Sequence, residues 1–220
     1  MEAQNRQPIP RINDLAPDFK APSTHGEVTL SQFTKAGKWV LLFSHPADFT
    51  PVCTTEIVEF SRLSPEFDKR NVQLIGLSVD SIYSHLGWEQ NIEKHFGQKV
   101  PFPVIADRNM AVASLYGLTH PGASDTATVR AVFIIDPKGM VRALIYYPLT
   151  TGRNADEILR LIDALQATDK HGIATPVNWR PGEEVIVPPP TSETALRERL
   201  AMGQKGEVKQ TDWYFSKKRI

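Results

Sequence analysis

The chain of 220 residues reads as a mixed α/β fold followed by a small C-terminal module. Apolar runs of strand length, helical periodicity between them and a change of composition near residue 169 predict it. The runs are Trp39-Val-Leu-Leu-Phe43, Val72-Gln-Leu-Ile-Gly-Leu-Ser-Val79, Ala131-Val-Phe-Ile-Ile135 and Val141-Arg-Ala-Leu-Ile-Tyr-Tyr147, each rich in β-branched or aromatic residues. Between the first two, Ile57, Phe60, Leu63 and Phe67 recur at spacings of three and four, the signature of one helix face. Asp136-Pro-Lys-Gly139 is turn chemistry, so 131–147 is expected to form a β-hairpin and the sheet to be mixed. A last helix carries Ile158, Leu159, Ile162 and Leu165 on its apolar face. Asn154 and Glu157 stand in a capping-box arrangement at its start, and it is expected to end near Lys170.

These elements place a main domain at 8–168 and a module at 169–220. The module is turn-rich at Ala174–Gly182, favours extended polyproline at Val187–Pro190, and crowds Lys and Arg near its end. It is too short to bury much core alone, so Trp179, Trp213, Tyr214 and Phe215 are expected to pack against the main domain or a second subunit.

Lys plus Arg and Asp plus Glu number 25 each, so zero net charge provides no general attraction to nucleic acid or an anionic membrane. Residues 1–8 lack an apolar stretch of signal-peptide length, and no run approaches the ~20 apolar residues that span a bilayer. A cytoplasmic location is expected. The single cysteine, Cys53, excludes an internal disulfide, a CxxC pair and a zinc site of several thiolates. A lone cysteine is most often a small buried hydrophobe, so its neighbours must decide.

Those neighbours run from a strand end into a helix start: Phe43-Ser-His-Pro-Ala-Asp-Phe-Thr-Pro-Val-Cys-Thr-Thr-Glu56. Pro51 suits the first helical turn, where a missing N–H costs nothing. Unpaired amides there would favour Cys53 as a thiolate at neutral pH. Thr50 stands where a redox CxxC motif has its first cysteine. Its hydroxyl can accept from one partner and donate to another, as a bound peroxide requires, and it can equally be an ordinary N-cap.

Pro46-x-x-x-Thr50-x-x-Cys53 resembles the active-site signature of the peroxiredoxins, and Leu41–Glu56 resembles their one-cysteine branch, similar to mammalian peroxiredoxin 6. Thr128-Val-Arg-Ala-Val-Phe133 resembles the strand carrying the family's active-site arginine, and Tyr147-Pro-Leu-Thr-Thr-Gly-Arg-Asn154 that branch's second arginine loop. The resemblance covers nearly the whole chain. It implies a thioredoxin-like mixed sheet flanked by helices and a thiol peroxidase that reduces hydrogen peroxide or organic hydroperoxides through a cysteine sulfenic acid.

The resemblance also implies the roles. Cys53 is the nucleophile, and Thr50 and Arg130 bind the peroxide. Pro46 shapes the pocket, or is a simple turn proline. Glu56 ties down Arg130 and Arg153, or is a first-turn acid favoured by the helix dipole. Related proteins have a histidine at the place of His45 to which activation of the cysteine is assigned; a structural histidine at a strand end is the ordinary alternative.

With no second cysteine, an external thiol or other reductant must regenerate Cys53. Gln210 and Ser216 stand where some relatives carry extra cysteines. No cofactor is implied, and the other histidines form no HxH or HExxH pair, so no metal is expected. A homodimer or larger homo-oligomer is implied. A lipase activity known in the branch is not carried over, because Ser31 lacks flanking glycines. The rival readings are a redox sensor or holdase, which would consume one equivalent of peroxide, and a thiol transferase.

Overall fold

The computed structural model describes residues 9–220. The expected domain start at residue 8 and the stretch 1–8 lie outside them. Contacts divide the chain into a unit ending at Ala155 and a unit Asp156–Ile220.

The first unit opens with a short hairpin, β1 (Lys20–Ser23) and β2 (Gly26–Thr29), then α1 (Leu30–Lys35). Two crossovers follow: β3 (Trp39–Ser44), α2 (Pro51–Lys69), β4 (Val72–Ser78), α3 (Ile82–Phe96) and β5 (Val104–Ala106). After α4 (Ala111–Leu115) comes a second hairpin, β6 (Arg130–Ile135) and β7 (Val141–Tyr147). The seven strands form one sheet in the order β2-β1-β5-β4-β3-β6-β7. Strands β5, β4 and β3 run parallel, and β6 pairs antiparallel with β3.

This is the mixed sheet flanked by helices that the strand and helix patterns predict, arranged as the resemblance to a thioredoxin-like fold implies, with the 131–147 hairpin on one edge. β3 is buried along its whole length because it is central and covered on both faces. Phe43 stacks on Phe60 of α2, while Val40 and Leu42 join Phe133, Ile135 and Tyr116 in the opposite layer. The strands of this unit absent from the sequence reading, β1, β2 and β5, have only three or four residues. Too few positions exist in them for a periodic signal to form.

The second unit holds α5 (Ala155–His171), which begins at the boundary, then β8 (Val185–Val187), α6 (Glu193–Gln204), β9 (Lys209–Asp212) and β10 (Phe215–Lys218). Its three strands form a sheet in the order β8-β10-β9. The division falls ahead of α5, whereas the sequence reading ends the main domain behind that helix. Ala164 of α5 packs with Ile173, Trp179 and Val185 in a small core of the C-terminal unit. Trp179 is thus buried, while Trp213, Tyr214 and Phe215 are exposed.

Candidate active site

Residues 44–53 join the C-terminal end of β3 to the first turn of α2. His45 is anchored by its amide to Leu77 O, and Thr128 Oγ1 donates to His45 O at 2.7 Å. A bend at Pro46 and a left-handed Phe49 (φ 55°) then turn the chain into the helix. Pro51 is the first helical residue and brings no N–H. The first intrahelical bond runs from Thr54 N to Thr50 O. Cys53 therefore lies in the turn whose amides have no intrahelical acceptor.

Thr50 is the N-cap residue by its backbone, but its side chain makes no capping bond. Its Oγ1 instead donates to Ala47 O at 2.8 Å. With its one proton committed, that oxygen faces any ligand as an acceptor. Of the two roles open to Thr50 in the sequence, side-chain capping is the one the structure does not use.

The Cys53 thiol has no exposed surface. Arg130, the first residue of β6, aims Nη1 at Cys53 Sγ at 3.3 Å and at Glu56 Oε2 at 2.6 Å. The other face of its guanidinium is held by Leu149 O, which accepts from Nε at 3.1 Å and Nη2 at 2.8 Å. Glu56 also accepts from Arg153 Nε at 2.9 Å, Arg153 Nη2 at 2.7 Å and the Arg153 amide at 2.9 Å. Arg153 Nη1 reaches Ser44 O and Ala131 O, and its guanidinium lies over the rings of Phe43 and Phe60. Burial alone would raise the Glu56 pKa, but Arg153 and then Arg130 outweigh it and hold the carboxylate below its usual range. Glu56 lies beyond the first turn of α2, so its surroundings are set by the arginines and not by the helix end.

His45 is fully buried, and Nε2 donates to Asp48 Oδ1 at 2.9 Å. Asp48 Oδ2 accepts from His85 Nδ1 at 2.8 Å, and His85 Nε2 donates to Ile105 O at 3.1 Å. Sequence reasoning missed this cluster. Asp48 sits inside the quoted motif, three residues from His45, and that spacing was the available signal; His85 comes from α3, and only the fold brings it near. The offered ligand atoms lie within 4.8 Å of one another, a spacing that a metal could also use. The N···O distances are those of hydrogen bonds, and the Ile105 carbonyl requires a proton on His85 Nε2.

The structure thus brings Cys53, Glu56, Arg130 and Arg153 into one bonded network. Thr50 and Pro46 lie on the segment leading to Cys53, and His45 belongs to the second cluster. A buried cysteine in the first turn after a parallel strand, faced by an arginine from the neighbouring strand, defines a thiol-dependent site on a thioredoxin-like sheet.

Residues 12–144 match the model of the AhpC/TSA family, and 164–201 match the C-terminal domain of 1-Cys peroxiredoxin. A peroxiredoxin of Aquifex aeolicus is 53% identical over 222 residues, covering 96% of this chain and 98% of the relative. One of Archaeoglobus fulgidus is 49% identical over 215 residues, covering 96% and 99%. The solved structure of a yeast mitochondrial 1-Cys peroxiredoxin superposes with a TM-score of 0.83 at 43% identity, covering 96% of this chain and 99% of that one. The peroxiredoxin 6 of Arenicola marina gives 0.84 at 35% identity, covering 95% and 97%. The chain belongs to the peroxiredoxins of the AhpC/TSA family, in their one-cysteine branch. It is a thiol peroxidase whose single cysteine fits a one-cysteine mechanism.

Proposed function

We propose that Cys53 reduces hydrogen peroxide and organic hydroperoxides, and that the network around it does the chemistry. The observation that carries this is the Arg130 Nη1 donor 3.3 Å from Cys53 Sγ in a site closed to solvent. The sulfur attacks the nearer peroxide oxygen, an S–O bond forms and the O–O bond breaks. The far oxygen leaves as hydroxide or alkoxide and takes up a proton. Arg130 and the first-turn amides donate along the S–O–O line, and Thr50 Oγ1 accepts the peroxide proton in its hydrogen bond. Glu56 and Arg153 hold Arg130 in place, Pro46 walls the pocket, and His45 has a supporting role on the segment leading to Cys53.

Cys53 is left as a sulfenic acid, two electrons more oxidised. An external thiol then attacks the sulfur, releasing water and forming a mixed disulfide, and a second thiol frees Cys53. The yeast relative is described as resolved through glutathione and thioredoxin systems, and the same donors suit this chain. Because Cys53 has no exposed surface, a bulky donor reaches it only after the first turn of α2 opens. The exposed Trp213, Tyr214 and Phe215 support a homodimer or larger homo-oligomer, with the module 169–220 of the two-part division 8–168 and 169–220 packing on a partner subunit. A cytoplasmic location fits a chain whose one thiol must stay reduced.

The test is peroxide consumption with a panel of thiol donors. Repeated turnover is expected, and replacing Cys53 with Ser abolishes it while the circular dichroism spectrum is kept. A wild-type protein that stops after one equivalent in every donor would be a sensor, and the reading would fall. Excess peroxide without donor should add roughly two oxygens to Cys53, seen by mass spectrometry.

A further inference from the structure

The His45, Asp48 and His85 cluster is buried, and its bonding fixes where its protons lie. Asp48 accepts at both oxygens, one from each histidine. His85 meets an acceptor at each nitrogen, Asp48 Oδ2 and Ile105 O, so it must donate twice and be an imidazolium. His45 donates from Nε2, while its Nδ1 is buried with no partner. A second proton on Nδ1 would leave a buried donor unpaired beside the His85 cation, so His45 is neutral and Nδ1 is a free lone pair. The shifts agree. Burial pushes the His45 pKa down despite Asp48, whereas the Asp48 hydrogen bond and charge overcome burial at His85 and raise it. Asp48 is held far below the usual carboxylate range by the two histidines, against the effect of burial.

Other polar groups frame the cluster. Asp80 Oδ2 accepts from the Asp48 amide at 3.0 Å and from Ser78 Oγ at 2.7 Å, tying the loop to the end of β4. Glu89 stands one turn beyond His85 on α3, with Oε1 buried and unpartnered. Burial raises its pKa, against the lowering effects of the Thr24 hydrogen bond and the His85 charge. The ring of Trp88 lies 5.2 Å from that of His45, and its Nε1 donates to Thr54 Oγ1, next to Cys53 in α2.

We propose that Asp48 and His85 are positioning residues for the peroxidase reaction: the His85 cation keeps Asp48 ionised, and Asp48 locks His45 as the Nε2–H tautomer. Nδ1 of His45 is thereby presented as a rigid acceptor on the segment that carries Thr50 and Cys53. The inference rests on the Cys53 peroxidase reading and extends it by naming the residues that set the state of His45. Arg130 at the sulfur is a donor, whereas the neutral His45, on the segment leading to Cys53, carries an unpartnered acceptor.

Nitrogen-15 NMR of the histidines in the resting full-length protein at neutral pH tests the proton placement. The expected pattern is His85 protonated at both nitrogens and His45 at Nε2 alone. A proton on His45 Nδ1, or a neutral His85, overturns the proposal. In Asp48→Asn the amide can match only one of the two histidine donors, so the pattern must break; an unchanged pattern overturns it too.

Kinetically, Asp48→Asn and His85→Gln should each lower kcat/KM for peroxide about tenfold, the size of one lost hydrogen bond to a charged or reacting group. In a His45→Gln background the same changes should add nothing, because they act through His45. Additive losses there would mean a general structural role and refute the proposal. Absence of turnover in the wild type would instead refute the peroxidase reading alone, and the NMR pattern would still decide the proton placement.

Discussion

Glu56 and Asp48 are both buried carboxylates between two basic side chains, on either side of Cys53 in the sequence, but their neighbours keep charge differently. Glu56 lies between the guanidinium groups of Arg130 and Arg153, and a guanidinium as a group keeps its charge across the ordinary pH range. Asp48 lies between two histidines, whose charge depends on their surroundings: burial pushes the His45 pKa down, and Asp48 pulls that of His85 up. The first cluster is therefore a fixed electrostatic frame for the sulfur. The second is a frame with a titratable part, and its geometry persists only while His85 holds both protons. The contrast shows why the donor touching sulfur is an arginine: a guanidinium keeps its charge and its fork geometry through the whole reaction.

The largest way to break the comparison is to remove the carboxylate charge from the arginine cluster. Glu56→Gln leaves two buried guanidiniums without their counter-charge, and such losses typically cost about 3–5 kcal/mol. Urea denaturation should show a lower midpoint, and stopped-flow peroxide reduction should slow because Arg130 loses its 2.6 Å anchor. A midpoint within error of the wild type would mean that the network is not what holds the site.

A smaller effect sharpens the difference in titration. His85, with a raised folded pKa, stabilises the fold fully below its ordinary value of 6.5, and that contribution is lost as pH rises through the raised value. His45, with a lowered folded pKa, stabilises fully above 6.5 and loses its contribution as pH falls through the lowered value. The cluster's own contribution should therefore peak near that ordinary value. His85→Gln should remove the alkaline limb of the stability profile and His45→Gln the limb on the acid side, both measured by denaturation at stepped pH. The arginine cluster should add no limb in this range, since Glu56 loses its contribution only as pH falls below its ordinary 4.5.

The smallest effect is a control at the surface. Glu59 grips Arg62 at 2.6 and 2.8 Å, as short as the buried pairs, yet both side chains are exposed. Glu59→Gln should change stability by less than about 1 kcal/mol, because water screens the pair. A cost like that of Glu56→Gln would show that burial is not what separates the two kinds of pair.

Much of the arginine cluster was legible before folding. Cys53, Thr50, Glu56, Arg130 and Arg153 all fall in three short stretches whose residue types and order carry the resemblance, and β3 and α2 announce themselves by periodicity. Asp48 was visible but unread, since an acid after a turn has many ordinary explanations. His85 could not be read: it sits in a helix whose face offers no ligand pair, and its partner is 37 residues away.

What the sequence determined by itself is local and chemical. The strand and helix periods, the proline at a helix start, the absence of a second thiol and the motif order follow from residue type and spacing, which persist in an unfolded chain. Only the tertiary structure decided which way Thr50 spends its proton, that Glu56 faces both arginines, and that a histidine from α3 completes a buried triad with His45 and Asp48. Those outcomes depend on burial. Once water is excluded each polar atom must find a partner in the protein, and the partner available is set by the sheet order and not by neighbourhood along the chain.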